Sequence, residues 1–265
     1  MANVSRWLVT HIPSGLLLVL LVVSIAGAAI LVQRVVRKRF PALAGDDHND
    51  VTRFTYGFIG FVYAFFIGFV VSNMWGQINT ADGNARAEGA AAVQMVHDAA
   101  VFDGPVRNRI QQALLRYEKA AIAEWDAADS ASSPEADAGL ADVYATYRQV
   151  QPTTDAQKAA LATSLSNLDK TSQARTVRLM TARADTGPAW PLWAVIIVTS
   201  TMVVGTVIIY GVERSTFHYS MVAIVSVIVA ANLFLVLELS HPYVGAISTS
   251  SDPLQEVVRV LDQHP

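Results

Sequence analysis

The sequence predicts an all-α membrane protein in which four transmembrane helices accompany a helical bundle outside the bilayer. Hydrophobic residues make up 52% of the 265-residue chain and the mean hydropathy is +0.36, values above those of ordinary soluble domains. Four apolar runs each have the length of about 20 residues that a helix needs to cross the hydrocarbon core. Between the second and third runs lies a polar, alanine-rich segment without strand-like alternation.

The four predicted spans are nearly free of internal charge. They cover residues 13–36, 54–75, 190–212 and 217–239. The first run is too long for the core of a signal peptide, so we expect it to be retained. Tryptophan and tyrosine prefer the headgroup zone, and such residues stand at the edges of the runs: Trp7, Tyr56, Trp75, Trp190, Trp193, Tyr210, Tyr219 and Tyr243. Their positions support the predicted limits.

The chain divides into four predicted parts. Residues 1–75 hold the first transmembrane pair, residues 76–188 the extramembrane helical bundle, residues 189–239 the second transmembrane pair, and residues 240–265 a turn and an amphipathic helix. No strong helix breaker follows the second span, so one helix is expected to continue to about Val101.

Capping residues predict where the later helices begin. Asp103 stands before a glycine and a proline, a pattern of helix starts. Residues 129–134 form a predicted loop that a shorter helix follows, and Pro152, Thr153 and Thr154 are expected to open the last helix of the bundle segment. Near the end of the chain, Asp252 is the predicted N-cap of a helix with an apolar stripe. We expect that helix to pack on the bundle rather than lie on the membrane, because Arg259 is its only arginine or lysine.

Composition and motifs exclude several classes of function. The net charge of −3 gives no basic excess for a nucleic-acid partner. The absence of cysteine excludes thiolate metal sites, disulfides and cysteine nucleophiles. The 6 histidines form no metal-ligand pair at helical spacing, and no glycine-rich phosphate loop occurs. We therefore expect neither enzymatic activity nor a cofactor.

The second span sorts its residues into two neighbouring faces at about 100° per residue. Phenylalanines form the first face: Phe58, Phe61, Phe65 and Phe69. Small residues, which allow another helix to approach closely, form the second: Gly57, Gly60, Ala64 and Gly68. The phenylalanine face fits lipid contact or a helix-bundle core. It also fits an oligomeric ring in which stacked phenylalanines form a constriction that gates ions by dewetting.

The second span and the end of the fourth resemble bestrophins. The run 61–65, Phe-Val-Tyr-Ala-Phe, precedes Trp75 and Gln77 in the manner of the bestrophin pore helix. Residues 238–245 end the fourth span with a proline-aromatic-x-glycine turn similar to a bestrophin element. The chain resembles even more closely the bestrophin-like bacterial membrane proteins, whose markers are matched by Glu88, Tyr117 and the Glu124-Trp125 pair. The similarity extends over nearly the whole chain.

The resemblance implies an ion channel that assembles as a homo-oligomer, a pentamer in bestrophins, within the lipid bilayer. It places the pore constriction at Phe61 and Phe65, with Gly57 at the third neck position and Phe69 as a further ring. A glycine at residue 57 would widen that ring. Residues 246–251 contain no carboxylate, so the resemblance does not extend to calcium gating.

Several polar residues are further candidates for the channel. Asp82, Arg86 and Glu88 follow the second span and fit either a charged vestibule ring or a solvated helix face. Asn73 and Asn232 lie in or near hydrocarbon, where interhelical hydrogen bonds are the favoured reading over a direct functional role. Glu238 ends the fourth span as an interfacial carboxylate or a gating residue.

Two questions stay open at the level of sequence. Basic residues in the short loops, such as Arg37 and Arg39, favour a bundle on the outside of the cell membrane. Arginines near the ends of the bundle segment weaken that count, and the resemblance favours a cytoplasmic bundle, which we prefer slightly. The function is either an ion channel or a non-conducting membrane scaffold or signalling subunit with a helical docking domain.

Overall fold

The computed structural model describes residues 2–41, 49–127, 132–184, 186–210, 212 and 214–263. Within these ranges the chain is helical and contains no strand. The helices are α1 (Ala2–His11), α2 (Ser14–Arg39), α3 (Asn49–Ala99), α4 (Gly104–Asp126), α5 (Pro134–Arg148), α6 (Asp155–Arg183), α7 (Trp190–Ile209), α8 (Ser215–Leu239) and α9 (Asp252–Gln263). The predicted all-α class is confirmed.

Four helices in the described part of the chain are long and apolar enough to cross a membrane. They are Ser14–Arg39, Phe54–Ala99, Trp190–Ile209 and Ser215–Leu239. These candidates match the four predicted spans, so the chain is a membrane protein. As expected, α3 continues far beyond its apolar part and ends at Ala99, close to the predicted Val101.

The chain forms two compact units. The membrane unit comprises Met1–Gly76 and Gly187–Ile247, and the bundle unit comprises Gln77–Thr186 and Ser248–Pro265. The limits predicted for the four parts of the chain stay a prediction. In the membrane unit, α2 packs against α7 and α8, and Ala29, Val207 and Val222 belong to their common apolar core.

The bundle unit is built around α4. α5 and α9 pack on α4, and the apolar core also takes residues from α3 and α6. Its largest fully buried side chains include Tyr117, Tyr147, Met95, Leu114 and Leu168. The predicted packing of α9 on this bundle is therefore observed, because Leu254, Val257 and Leu261 are all buried in that core.

Most predicted helix starts agree with the structure. Asp103 precedes α4, and the Thr154 hydroxyl accepts a hydrogen bond from the backbone N of Gln157 at 3.2 Å at the start of α6. The predicted loop 129–134 lies partly outside the described residues. The N-cap of α9 is Ser251, not Asp252, because the backbone N of Gln255 donates to the Ser251 carbonyl at 3.1 Å.

The short helix α1 has no counterpart in the sequence prediction. Helices of about ten residues gain most of their stability from packing rather than from intrinsic propensity. In the membrane unit, Val9 is 5% exposed, and the Ser5 hydroxyl lies 3.2 Å from Nε2 of His241. α1 packs against both α2 and α8. Some of the residues that hold it in place are therefore more than 200 positions away in the sequence, where a local pattern cannot reveal them.

Candidate functional site

The helix α3 has two opposite faces. Side chains at most 7% exposed recur every three or four residues along one of them: Tyr63, Ile67, Val70, Met74, Ile78, Ala81 and Ala85. By helical geometry the predicted phenylalanine face lies on the far side of the helix. Phe61, Phe65 and Phe69 are 71%, 72% and 67% exposed. This face therefore points away from the core of its own chain.

The row of small residues beside the phenylalanines is open. A Cβ atom built at Gly57, Gly60 or Gly68 meets nothing within 4 Å, and Ala64 in the same row is exposed. No described helix of the chain occupies this row. The close helix packing predicted for it stays a prediction, and it concerns contact with another molecule.

Beyond Phe69 the exposed face of α3 becomes small and polar. It continues through Ser72, Gly76, Asn79, Gly83, Arg86 and Ala90. Asp82 and Arg86 form an exposed ion pair of 2.9 Å between Oδ2 and Nε. Asn73 is exposed as well. The vestibule role of these residues stays a prediction, and the ion pair shows that the two charges partly neutralise each other.

Glu88 lies inside the bundle unit, apart from the exposed face of α3. Its side chain is 2% exposed, and Nε and Nη2 of Arg178 lie 3.4 Å from its two carboxylate oxygens. Glu88 therefore belongs neither to an exposed vestibule ring nor to a solvated helix face, because α3 turns this residue toward α6.

Glu124 is the centre of a buried charge network in the bundle unit. It accepts hydrogen bonds from Arg175 Nε at 3.1 Å, Arg175 Nη2 at 2.5 Å and Arg178 Nη2 at 3.3 Å. Arg175 also pairs with Asp137 at 2.8 Å. The guanidinium of Arg178 lies 4.7 Å from the centre of the Trp125 ring. These charge-assisted contacts fasten α6 to α4 and α5.

Two neighbouring polar side chains of α4 are buried beside this network. Glu118 is 1% exposed, and neither of its carboxylate oxygens has a hydrogen-bond partner among the described residues. The hydroxyl of Tyr117 is likewise buried and unpartnered within that part of the chain. Burial, followed by the nearby charge of Glu88, raises the pKa of Glu118 well above its usual range, while Arg178 acts in the opposite direction.

The turn after α8 closes on Glu238. This side chain is fully buried in the membrane unit, and its Oε2 accepts a hydrogen bond from the backbone N of Ala246 at 3.1 Å. Gly245 has a φ of +102°, a backbone conformation that favours glycine. A Cβ at residue 245 would lie 2.5 Å from Val9. Glu238 thus supports the turn, and its gating role stays a prediction. For the half-buried Asn232, both the interhelical hydrogen bond and the gating role stay predictions.

A polar contact joins α2 to the α7–α8 connection. Nη1 of Arg37 donates to the Val212 carbonyl and to Nδ1 of His218, both at 2.9 Å. Nε2 of His218 lies 3.0 Å from the Val207 carbonyl. Because arginine only donates and a carbonyl only accepts, this geometry requires neutral His218 with its proton on Nε2.

The sequence comparisons decide the family. The model of the Bestrophin-like domain matches residues 23–254, which include α3, the charge network and the turn at Gly245. The chain belongs to the Bestrophin-like family. The predicted resemblance is confirmed, whereas no curated protein sequence matches this Bestrophin-like chain.

Solved structures share the fold of this Bestrophin-like protein. Two crystal structures of mutant bacterial bestrophin homologs from Klebsiella pneumoniae match with TM-scores of 0.67 and 0.65 and identities of 13% and 14%. Each match covers 93% of this chain and 97% of the other chain. A crystal structure described as a membrane protein matches with a TM-score of 0.68 and 13% identity, covering 93% and 96% of the two chains. At such identities the likeness establishes the fold alone.

The sequence prediction for this Bestrophin-like chain missed the role of Arg175 and Arg178. It treated them as basic residues near the membrane ends of the bundle segment, yet their side chains are only 6% and 5% exposed. A signal was present, because both arginines continue the buried stripe of Leu168 and Thr171 at helical spacing along α6. A charged residue in such a stripe indicates a buried partner of opposite charge. No group of metal-ligating side chains occurs within the described residues.

Proposed function

We propose that this Bestrophin-like protein is a homo-oligomeric ion channel in which α3 lines the central axis. Phe61, Phe65 and Phe69 then form the constriction, and Gly57 marks a wider ring. The observation that carries the proposal is the phenylalanine row, exposed on the face of α3 opposite its buried residues. Around an axis, such rows would form stacked apolar rings that control ion passage by dewetting.

Lipid contact explains this face less well than a pore does. The large exposed side chains of α2 within its apolar run are leucine and valine, and those of α8 are aliphatic except for Phe217 in its first turn. On α3 the large exposed positions are mainly phenylalanine, flanked by an open glycine row. A lipid-facing helix needs neither the glycine row nor the small polar continuation of the same face.

The open glycine row supports assembly from several copies. Gly57, Gly60 and Gly68 leave room for a helix of a neighbouring copy at the small-xxx-small spacing typical of packed membrane helices. The bestrophin fold leads us to propose a pentamer. In a mild detergent, the mass of the purified particle should correspond to five chains. A monomeric particle would contradict the proposed pore on a central axis.

Planar-bilayer recording of the purified protein tests the constriction. We expect Phe61→Ala and Phe65→Ala to raise the conductance several-fold and to alter ion preference, because the smaller side chain widens and wets the narrowest ring. Phe217→Ala is the matched control, since Phe217 is a similarly exposed phenylalanine, at 64%, on α8. Conductance that responds equally to all three changes would refute the assigned constriction. An oligomer that never conducts would favour a scaffold.

We propose a cytoplasmic orientation for the bundle unit, which cysteine labelling can test because the chain lacks native cysteine. Asp155 has a 98% exposed side chain at the start of α6, and Phe40 is 56% exposed at the end of α2. In intact cells, an impermeant maleimide should label Phe40→Cys and should label Asp155→Cys only after lysis. The reverse pattern would place the bundle outside.

A further inference from the structure

Glu118 is a carboxylic acid that the bundle unit buries without a counter-ion of its own. It lies on α4 in a cluster formed by Glu88 of α3, Tyr117 and Glu124 of α4, Asp137 of α5, and Arg175 and Arg178 of α6. The charges that act on Glu118 directly are those of Glu88 and Arg178. α9 also packs on α4, but it does so through apolar side chains.

The buried charges of the cluster balance when Glu118 is left out. Arg178 contacts Glu88 and Glu124, and Arg175 contacts Glu124 and Asp137. Two buried guanidinium groups therefore face two buried carboxylates, and Asp137 adds a third that is half exposed. Both oxygens of Glu118 are buried with no donor among the described residues. An ionised carboxylate there would lack both a counter-charge and hydrogen bonds, a combination that is very costly in a protein interior.

We propose that Glu118 is a proton-binding site of the bundle unit, holding its proton at neutral pH. A neutral carboxylic acid avoids most of the desolvation cost, and the balance of the remaining buried charges is preserved. The elevated pKa described above is in accord with this geometry but is not needed to reach it. The site lies within the bundle unit, and Glu118 holds its proton whether or not the protein conducts ions.

A bound proton gives the bundle unit a characteristic pH dependence. The usual pKa of this carboxyl group is 4.5, so the unfolded chain releases the proton above that pH. The folded chain retains it until its own, higher pKa. Between these two pKa values the folded state binds one more proton than the unfolded state. The folding equilibrium constant of the wild type, relative to that of a variant with a neutral residue 118, therefore falls about tenfold per pH unit. Below the lower pKa the effect vanishes.

Infrared spectroscopy of the full-length protein in detergent tests the proposal directly. At neutral pH, the wild type should show the carbonyl band of a protonated carboxyl group, and Glu118→Gln should remove the contribution of one carboxyl group from it. Burial also raises the pKa of Glu88, so the difference between the two spectra is the quantity measured. Glu256→Gln is the matched control, because Glu256 is a half-exposed carboxylate of α9 in the same unit. A wild-type spectrum without a protonated carboxyl band would overturn the proposal, as would a band of undiminished intensity in Glu118→Gln.

Thermal unfolding across the pH range supplies a second measurement. The wild type and Glu118→Gln should have similar midpoints at acidic pH, and the midpoint of the wild type should fall progressively below that of the variant as pH rises. A difference that does not change with pH would count against a bound proton. Glu118→Leu should also fold, since a neutral group of similar size suits the site. If both variants failed to fold, Glu118 would have to be ionised and stabilising, which would contradict the proposal.

Discussion

Replacing Arg175 by alanine is expected to lower the free energy of unfolding of the bundle unit by about 3–5 kcal/mol. Arg175 provides two hydrogen bonds to Glu124, whose side chain is 1% exposed. Without Arg175, Glu124 keeps only the hydrogen bond from the backbone N of Ser133 and, as its one counter-ion, the weaker contact with Arg178 while remaining in the protein interior. The loss is large because it leaves a buried charge without its main counter-ion. Urea unfolding in detergent, followed by tryptophan fluorescence, measures it.

The matched control for this change is Arg116→Ala. Arg116 also forms an ion pair between helices, with Asp142, but the two side chains are 60% and 44% exposed. An exposed pair contributes less than about 1 kcal/mol, because water screens both charges. Adding Glu124→Gln to Arg175→Ala should recover part of the lost free energy of unfolding, because it removes the unpaired charge. Equal effects of the two arginine substitutions would contradict the buried network.

Gly89→Ala is expected to destabilise the bundle unit by about 1–3 kcal/mol, the usual cost of overpacking. A Cβ atom at residue 89 would lie 2.5 Å from the carbonyl oxygen of Pro253 and 2.8 Å from its carbonyl carbon. Both are backbone atoms, so no side-chain rotation can make room and α9 must move. Hydrogen exchange should therefore accelerate in α9 more than elsewhere in the unit.

Gly83→Ala is the control for the substitution at Gly89. Both glycines lie on α3, but a Cβ at residue 83 meets nothing within 4 Å. Alanine has the higher helix propensity, so Gly83→Ala should leave stability unchanged or increase it by up to about 1 kcal/mol. If the two variants were equally stable, the close approach of α9 at Gly89 would be refuted.

The sequence is most informative where a structural rule acts locally. Length and hydropathy predict the four spans, and the absence of a breaker predicts that α3 continues past its apolar part. The phenylalanine face follows from periodicity alone. Capping residues place the starts of α4 and α6, whereas the start of α9 is displaced by one position. Ser251 precedes Asp252 and both residue types are good caps, so the local pattern cannot choose between them.

The rest of the site depends on residues that are distant in the sequence. Glu88 looks like a solvated residue because its neighbours Arg86 and Asp82 are exposed, and only the fold brings Arg178 against it. The same is true of the neutral state of Glu118, which depends on how the surrounding charges pair. Whether the phenylalanine face meets a second copy cannot follow from one chain, because that contact belongs to the assembly.

The position of Gly245 also constrains the order in which the protein can fold during synthesis. α1 leaves the ribosome well before the turn around Gly245 that covers Val9. In the bundle unit, Gly89 likewise receives its close neighbour Pro253 only after the intervening helices have been made. Each unit therefore stays incomplete until its C-terminal contribution has emerged. A nascent chain that stalls before the turn would expose unfinished cores to chaperones and proteases.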